Sequence, residues 1–181
     1  LESVHPYTKK KKLNEQPKKD SKKQPINKDD EYALTELMFL QKSGMFADVG
    51  SKTLYIGGTK WTNFDDVRSN IMNYLNPIEA SPKYKNAEKL IKQYNLKNVV
   101  GFSLGGAIAD SLINNNSRLK HARIYNSPSV RSGNYDYKKR IFYHDYDPLY
   151  GIIKKDISPQ MKVYKGHGYG HTMRNHKMIY N

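Results

Sequence analysis

At 181 residues the chain has room for one domain with a real core, and 31 Lys and Arg against 17 Asp and Glu leave a formal net charge of +14. The absence of cysteine excludes disulfides, thiolate catalysis and Cys-based zinc sites. No apolar run approaches the ~18 residues that span a bilayer and no signal peptide is visible, which points to a soluble or peripheral protein with a preference for anionic partners.

Residues 1–30 are rich in Lys, Gln and Pro and almost free of apolar side chains. Such a segment cannot bury enough surface to offset its ordering entropy, so it reads as a flexible basic tail. Lys9, Lys10, Lys11, Lys12, Lys18, Lys19, Lys22 and Lys23 make a clustered positive field suited to nucleic acid or to nuclear import. Residues 31–181 read as the folded domain, and +10 of the charge belongs to them, so the domain is basic in its own right.

From Asp29-Asp30, placed as a cap, "EYALTELMFLQKSG" has helical spacing and Gly44 as its stop. "KTLYIGGT" reads as a strand ending in glycines, and "TNFDDVRSNIMNYLNP" as a helix closed by Asn76-Pro77. "SPKYKNAEKLIKQYNL" is the next helix, with Ala87, Leu90, Ile91 and Tyr94 on one face. "KNVVGF" reads as a short buried strand and "SLGGAIADSLINNN" as the helix behind it. "HARIYNSP", "KRIFYHDYDPL" and "QMKVYKG" each contain a further strand. Strands alternating with helices predict a mostly parallel α/β sheet.

The junction between "KNVVGF" and "SLGGAIADSLINNN" carries chemistry. Gly101-Phe102-Ser103-Leu104-Gly105 is a G-x-S-x-G sequence between an apolar strand and a helix. A tight turn there lifts the Ser103 hydroxyl clear of the sheet, and Gly101 and Gly105 avoid collisions with the flanking strand and helix. The helix behind it offers its N-terminal dipole and a backbone N–H to an oxyanion. Downstream, acids follow the strand Ile141-Phe142-Tyr143, and "YKGHGYGHTMRNH" brings histidines last, which gives the order Ser, Asp, His.

Together with "YIGGTKWTNFDD", "DPLYG" and "GHTMRNH", this elbow resembles the class 3 (fungal-type) lipases of the α/β-hydrolase fold, over about residues 50–176. The resemblance implies a compact α/β-hydrolase with a mostly parallel central sheet flanked by helices. It also implies a serine acyl hydrolase (lipase, esterase or phospholipase) that cleaves carboxylic esters without a cofactor or metal. Ser103 corresponds to the nucleophile, Asp147 to the triad acid and His171 to the base. Thr59 and the N–H of Leu104 correspond to the oxyanion hole. Gly57 stands where the family has Arg, and the stretch from Thr59 to Ser103 is too short for a long helical lid.

Alternatives remain at each position. Asp145 competes with Asp147, which Pro148 favours by marking the end of the strand. His167 and His171 form an i, i+4 pair, but Gly166, Gly168 and Gly170 argue against the helix that a metal site of that spacing needs. His176 flanks them, and His121 and His144 read as structural or exposed. Trp61 and Phe64 suit a small acyl-binding rim or the core. Two other functions compete with hydrolysis: an inactive hydrolase-fold binding module, and a basic virion-type protein that binds nucleic acid through its tail. A virion or nuclear location would suit that tail.

Overall fold

The computed structural model describes residues 24–25, 28–40, 44–58, 73, 75, 77–147, 154–169 and 179–180. Its strands are β1 (Gln24–Pro25), β2 (Met45–Asp48), β3 (Thr53–Ile56), β4 (Asn98–Phe102), β5 (His121–Tyr125), β6 (Ser129–Val130), β7 (Lys139–Tyr146), β8 (Lys154–Lys155), β9 (Lys162–Tyr169) and β10 (Ile179–Tyr180). The helices are α1 (Lys28–Leu40), α2 (Pro82–Gln93) and α3 (Leu104–Asn115), with short 3-10 turns at Ile78–Ala80 and Asp136–Lys138.

Eight strands form one sheet in the order β1-β10-β9-β7-β5-β4-β3-β2. The five from β3 to β9 are mutually parallel, and β2 and β10 pair antiparallel at either side. This is the mixed α/β architecture with a mostly parallel sheet that the alternation of strands and helices predicts. β6 and β8 make a separate two-stranded parallel pair.

The parallel strands step across the sheet in one direction. Right-handed crossovers then place successive helices on one face. Leu54, Ile56, Val99, Ala122, Ile124 and Ile141 point to that face, where they pack with Leu90 and Ile91 of α2 and Ile108 and Leu112 of α3. The alternate residues Tyr55, Val100, Phe102, Tyr125 and Phe142 form a second cluster with Leu34 of α1. Tyr125, Phe142 and Tyr164 stack across three strands there, with centroids 4.5 and 4.9 Å apart.

Local sequence explains the helix ends. Ser81 caps α2, its Oγ accepting from Tyr84 N at 3.2 Å, and Pro82 occupies the first helical position, where its missing N–H costs nothing. Residues Leu104 to Ile113 of α3 are all buried, so this helix is the centre of the core rather than its cover. Beneath it Lys139 is fully buried, paired with Asp110 at 2.9 Å and Asp136 at 3.0 Å. None of the described helices is long and apolar enough to cross a membrane.

Two expectations change at the N-terminal side. The boundary of the tail at residue 30 falls inside structured chain: Gln24–Pro25 pairs with Ile179–Tyr180, and α1 begins at Lys28. Asp29 and Asp30 sit in the first turn of α1 rather than preceding it as caps, and Asp30 is fully buried. The helix expected over "TNFDDVRSNIMNYLNP" lies almost wholly outside the described residues, as do Lys9 to Lys23.

Candidate active site

The parallel strands all end on one edge. Gly57 follows β3, Ser103 follows β4, Asn126 follows β5 and Asp147 follows β7. That edge, at the carboxyl ends of the strands, is where open α/β sheets bind ligands.

Ser103 joins β4 to α3 with φ 56° and ψ −125°, a conformation that costs a non-glycine residue about 1–3 kcal/mol. The surroundings hold it there. Its N–H donates to Tyr125 O at 3.0 Å, and its carbonyl accepts from Gly106 N at 2.8 Å. The side chain is fully buried, and its Oγ has no hydrogen-bond partner among the described residues. Leu104 opens α3, so its N–H is one of the four without an intrahelical acceptor.

The two elbow glycines are required by contact. A Cβ on Gly101 would lie 2.1 Å from the Gly105 carbonyl oxygen, and one on Gly105 would lie 2.1 Å from that of Ile56. Strand, turn and helix are therefore packed backbone to backbone. Gly58 closes on the serine from β3: a Cβ there would come within 2.8 Å of Ser103 Cβ and 3.3 Å of its Oγ.

Asp147 is buried just past the end of β7. The pairing of β7 with β9 shifts register between His144 and Tyr146, and alternation breaks with it: His144 is fully buried, Tyr146 is 61% exposed and Asp147 is buried again. A bulge of this kind re-aims the end of a strand. Only β5 separates β4 from β7, and the register that sets Phe102 beside Tyr125 and Tyr125 beside Phe142 places Asp147 four residues beyond the β7 residue level with Ser103.

β9 carries the chain to Tyr169 on the same edge. His171, His176, Thr59, Trp61 and Phe64 lie outside the described residues, as do the side chains of Asp145 and His167. His121 is exposed at the opposite end of the sheet, at the start of β5. His144 is buried on the site edge, its Nδ1 3.2 Å from the Asn126 amide nitrogen. Asn126 itself has φ 46°, and its buried Oδ1 has no hydrogen-bond partner among the described residues. Sequence reasoning passed over Asn126; its signal is the turn residue directly after an apolar strand. Among the described residues no group of three His, Asp or Glu is placed to hold a metal.

No family model, curated protein or solved structure matches this chain.

Proposed function

We propose that the protein is a serine acyl hydrolase of α/β-hydrolase type, acting on carboxylic esters of lipid character. One observation carries this reading: a serine occupies a backbone conformation that glycine would adopt without strain, at the strand-to-helix turn, with its hydroxyl buried and without a hydrogen-bond partner among the described residues. Strain retained for the sake of a hydroxyl is hard to account for by packing.

In this reading His171 takes the Ser103 Oγ proton as the oxygen attacks the ester carbonyl, and Asp147 holds the imidazole in the required tautomer. The N–H groups of Leu104 and Thr59 stabilise the oxyanion. The tetrahedral species collapses, His171 returns the proton to the departing alkoxide, and the alcohol leaves. Water, deprotonated by His171, then attacks the acyl-serine and releases the acid. The test is labelling with a fluorophosphonate probe and identification of the modified residue, alongside turnover of p-nitrophenyl butyrate. Labelling at Ser103 supports the reading; no turnover and no labelling would leave the inactive binding module in its place.

A second reading, binding of a polyanion, draws on a different observation. Arg123, Arg140 and Lys162 stand in register on three adjacent strands, and Arg140 and Lys162 are exposed. Burial first, and then Arg140, Arg123, Lys120 and Lys138, hold the nearby His121 below the usual histidine range. Binding to anionic vesicles and to duplex DNA across a salt series separates a lipid surface from nucleic acid as the anionic partner. Equal binding to neutral and anionic partners at low salt would sink this second reading.

A further inference from the structure

The mechanism above leaves one cation beside the elbow without a role. Lys83, the second residue of α2, reaches back over the end of β3, and its Nζ donates to the Gly57 carbonyl at 2.7 Å. Gly44 lies against the same ammonium, since a Cβ there would come within 2.8 Å of Nζ. The Gly44 carbonyl in turn accepts from Gly57 N at 2.7 Å. Gly57 is thus held on both sides, its N–H by Gly44 and its carbonyl by Lys83.

The next residue is Gly58, which abuts Ser103. In a trans peptide the carbonyl and the following N–H point in opposite directions. A cation on the Gly57 oxygen therefore polarises the Gly57–Gly58 unit and strengthens the Gly58 N–H as a donor on the far side. Among the described residues Lys83 has no acidic partner. Gly44 and Gly57, which pack against its amine, carry no titratable group.

We propose that Lys83 is a positioning residue for the oxyanion side of the Ser103 site, its ammonium fixing the Gly57–Gly58 peptide that abuts Ser103. This rests on the acyl-hydrolase reading. Residue 57 itself is a glycine, so the cation at this strand end comes from the helix instead.

The arrangement has a pH signature. Burial pushes the Lys83 ammonium down to about 8, with no charge among the described residues contributing. The neutral amine can still donate, but hydrogen bonds from a charged donor are roughly twice as strong. Hydrolysis should therefore rise with pH through the histidine range and fall again as pH passes about 8. An arginine would stay charged throughout.

The experiment measures kcat and KM for p-nitrophenyl butyrate against pH in the full chain, Lys83→Met and Lys83→Arg, with circular dichroism to check folding. For Lys83→Met we expect kcat to fall by about tenfold to hundredfold with KM within about twofold, because positioning for the transition state is lost rather than binding. The limb near pH 8 should vanish in Lys83→Met, and in Lys83→Arg it should vanish while much of kcat is kept. A Lys83→Met enzyme with parental kcat and an unchanged alkaline limb would overturn the proposal. If Lys83→Met does not fold, the parental profile decides: a fall near pH 8 supports the proposal, and a flat profile to pH 10 overturns it. An inactive parent that no fluorophosphonate labels overturns this proposal and the acyl-hydrolase reading together, whereas an active parent indifferent to Lys83 overturns only this one.

Discussion

Asp30 and Arg123 meet as a two-point ion pair, with Nε to Oδ2 at 2.6 Å and Nη2 to Oδ1 at 2.9 Å, and the Tyr125 hydroxyl donates to the same Oδ2 at 2.7 Å. The carboxylate is fully buried while Arg123 keeps some exposure. This pair pins the first turn of α1 to β5, next to the apolar contact that Leu34 makes with the same sheet face.

Breaking such a pair leaves an uncompensated charge, at a cost of about 3–5 kcal/mol. We predict that Asp30→Ala lowers unfolding stability by about 3 kcal/mol in urea titrations. Deleting residues 1–23 should leave stability nearly unchanged, and deleting 1–30 should reproduce the loss. Equal stability of the two truncations would mean that the Asp30–Arg123 pair contributes nothing to the folded state.

Ser103→Ala and Ser103→Gly should both reduce ester turnover by several orders of magnitude, since each removes the nucleophile. Their stabilities should differ. Alanine inherits the strain of φ 56°, whereas glycine relieves it, so the glycine variant should be the more stable by about 1 kcal/mol. Thermal unfolding of the pair checks this.

Among the acids and histidines, Asp147→Asn should cripple turnover and Asp145→Asn should leave most of it. His171→Ala should cost about as much as Ser103→Ala, and the double variant little more, because triad members act as a unit. His167→Ala and His176→Ala should keep most activity. A crippled Asp145→Asn beside a mild Asp147→Asn would move the acid by two residues and leave the mechanism standing.

Glu79 supplies a prediction in acid. Burial alone would raise its pKa, but the Ser111 hydroxyl at 2.5 Å and the Arg131 guanidinium at 2.6 Å outweigh burial and hold it at about 2. The unfolded chain takes up this proton near 4.5, the folded protein only near 2. The stabilisation is therefore full above 4.5 and is lost as pH falls through 2. Glu79→Gln should flatten the decline in melting temperature between those two values, measured by differential scanning calorimetry.

Hydrophobic periodicity made α2, β4, α3, β5 and β7 legible, because each has enough apolar residues at one spacing to declare its type. β2 was not legible: "MFAD" is four residues long and borrows its identity from pairing with β3. β1, β6, β8 and β10 are two residues each and exist only through their partners. Asp29-Asp30 reads locally as a cap because no short-range pattern signals a partner 93 residues away. Ser103 was legible because an elbow is a local object, with strand, glycines and helix in one stretch. Lys83 and Asn126 were not, since one is a common helix residue and the other a common turn residue until the fold brings Lys83 to Gly57 at the end of β3 and Asn126 to the end of β5.

Gln24 pairs with Tyr180 and Pro25 with Ile179, so the two outlying arms of the fold lie side by side beyond β9. A protein whose arms are neighbours can be re-threaded. A short linker joining those arms, with new ends opened in the Val49–Lys52 turn, would change the order in which the ribosome delivers the strands without asking any of them to find a new neighbour. The same adjacency means that a fusion partner attached close to either arm would compete with β1 for the edge of β10, or with β10 for the edge of β9.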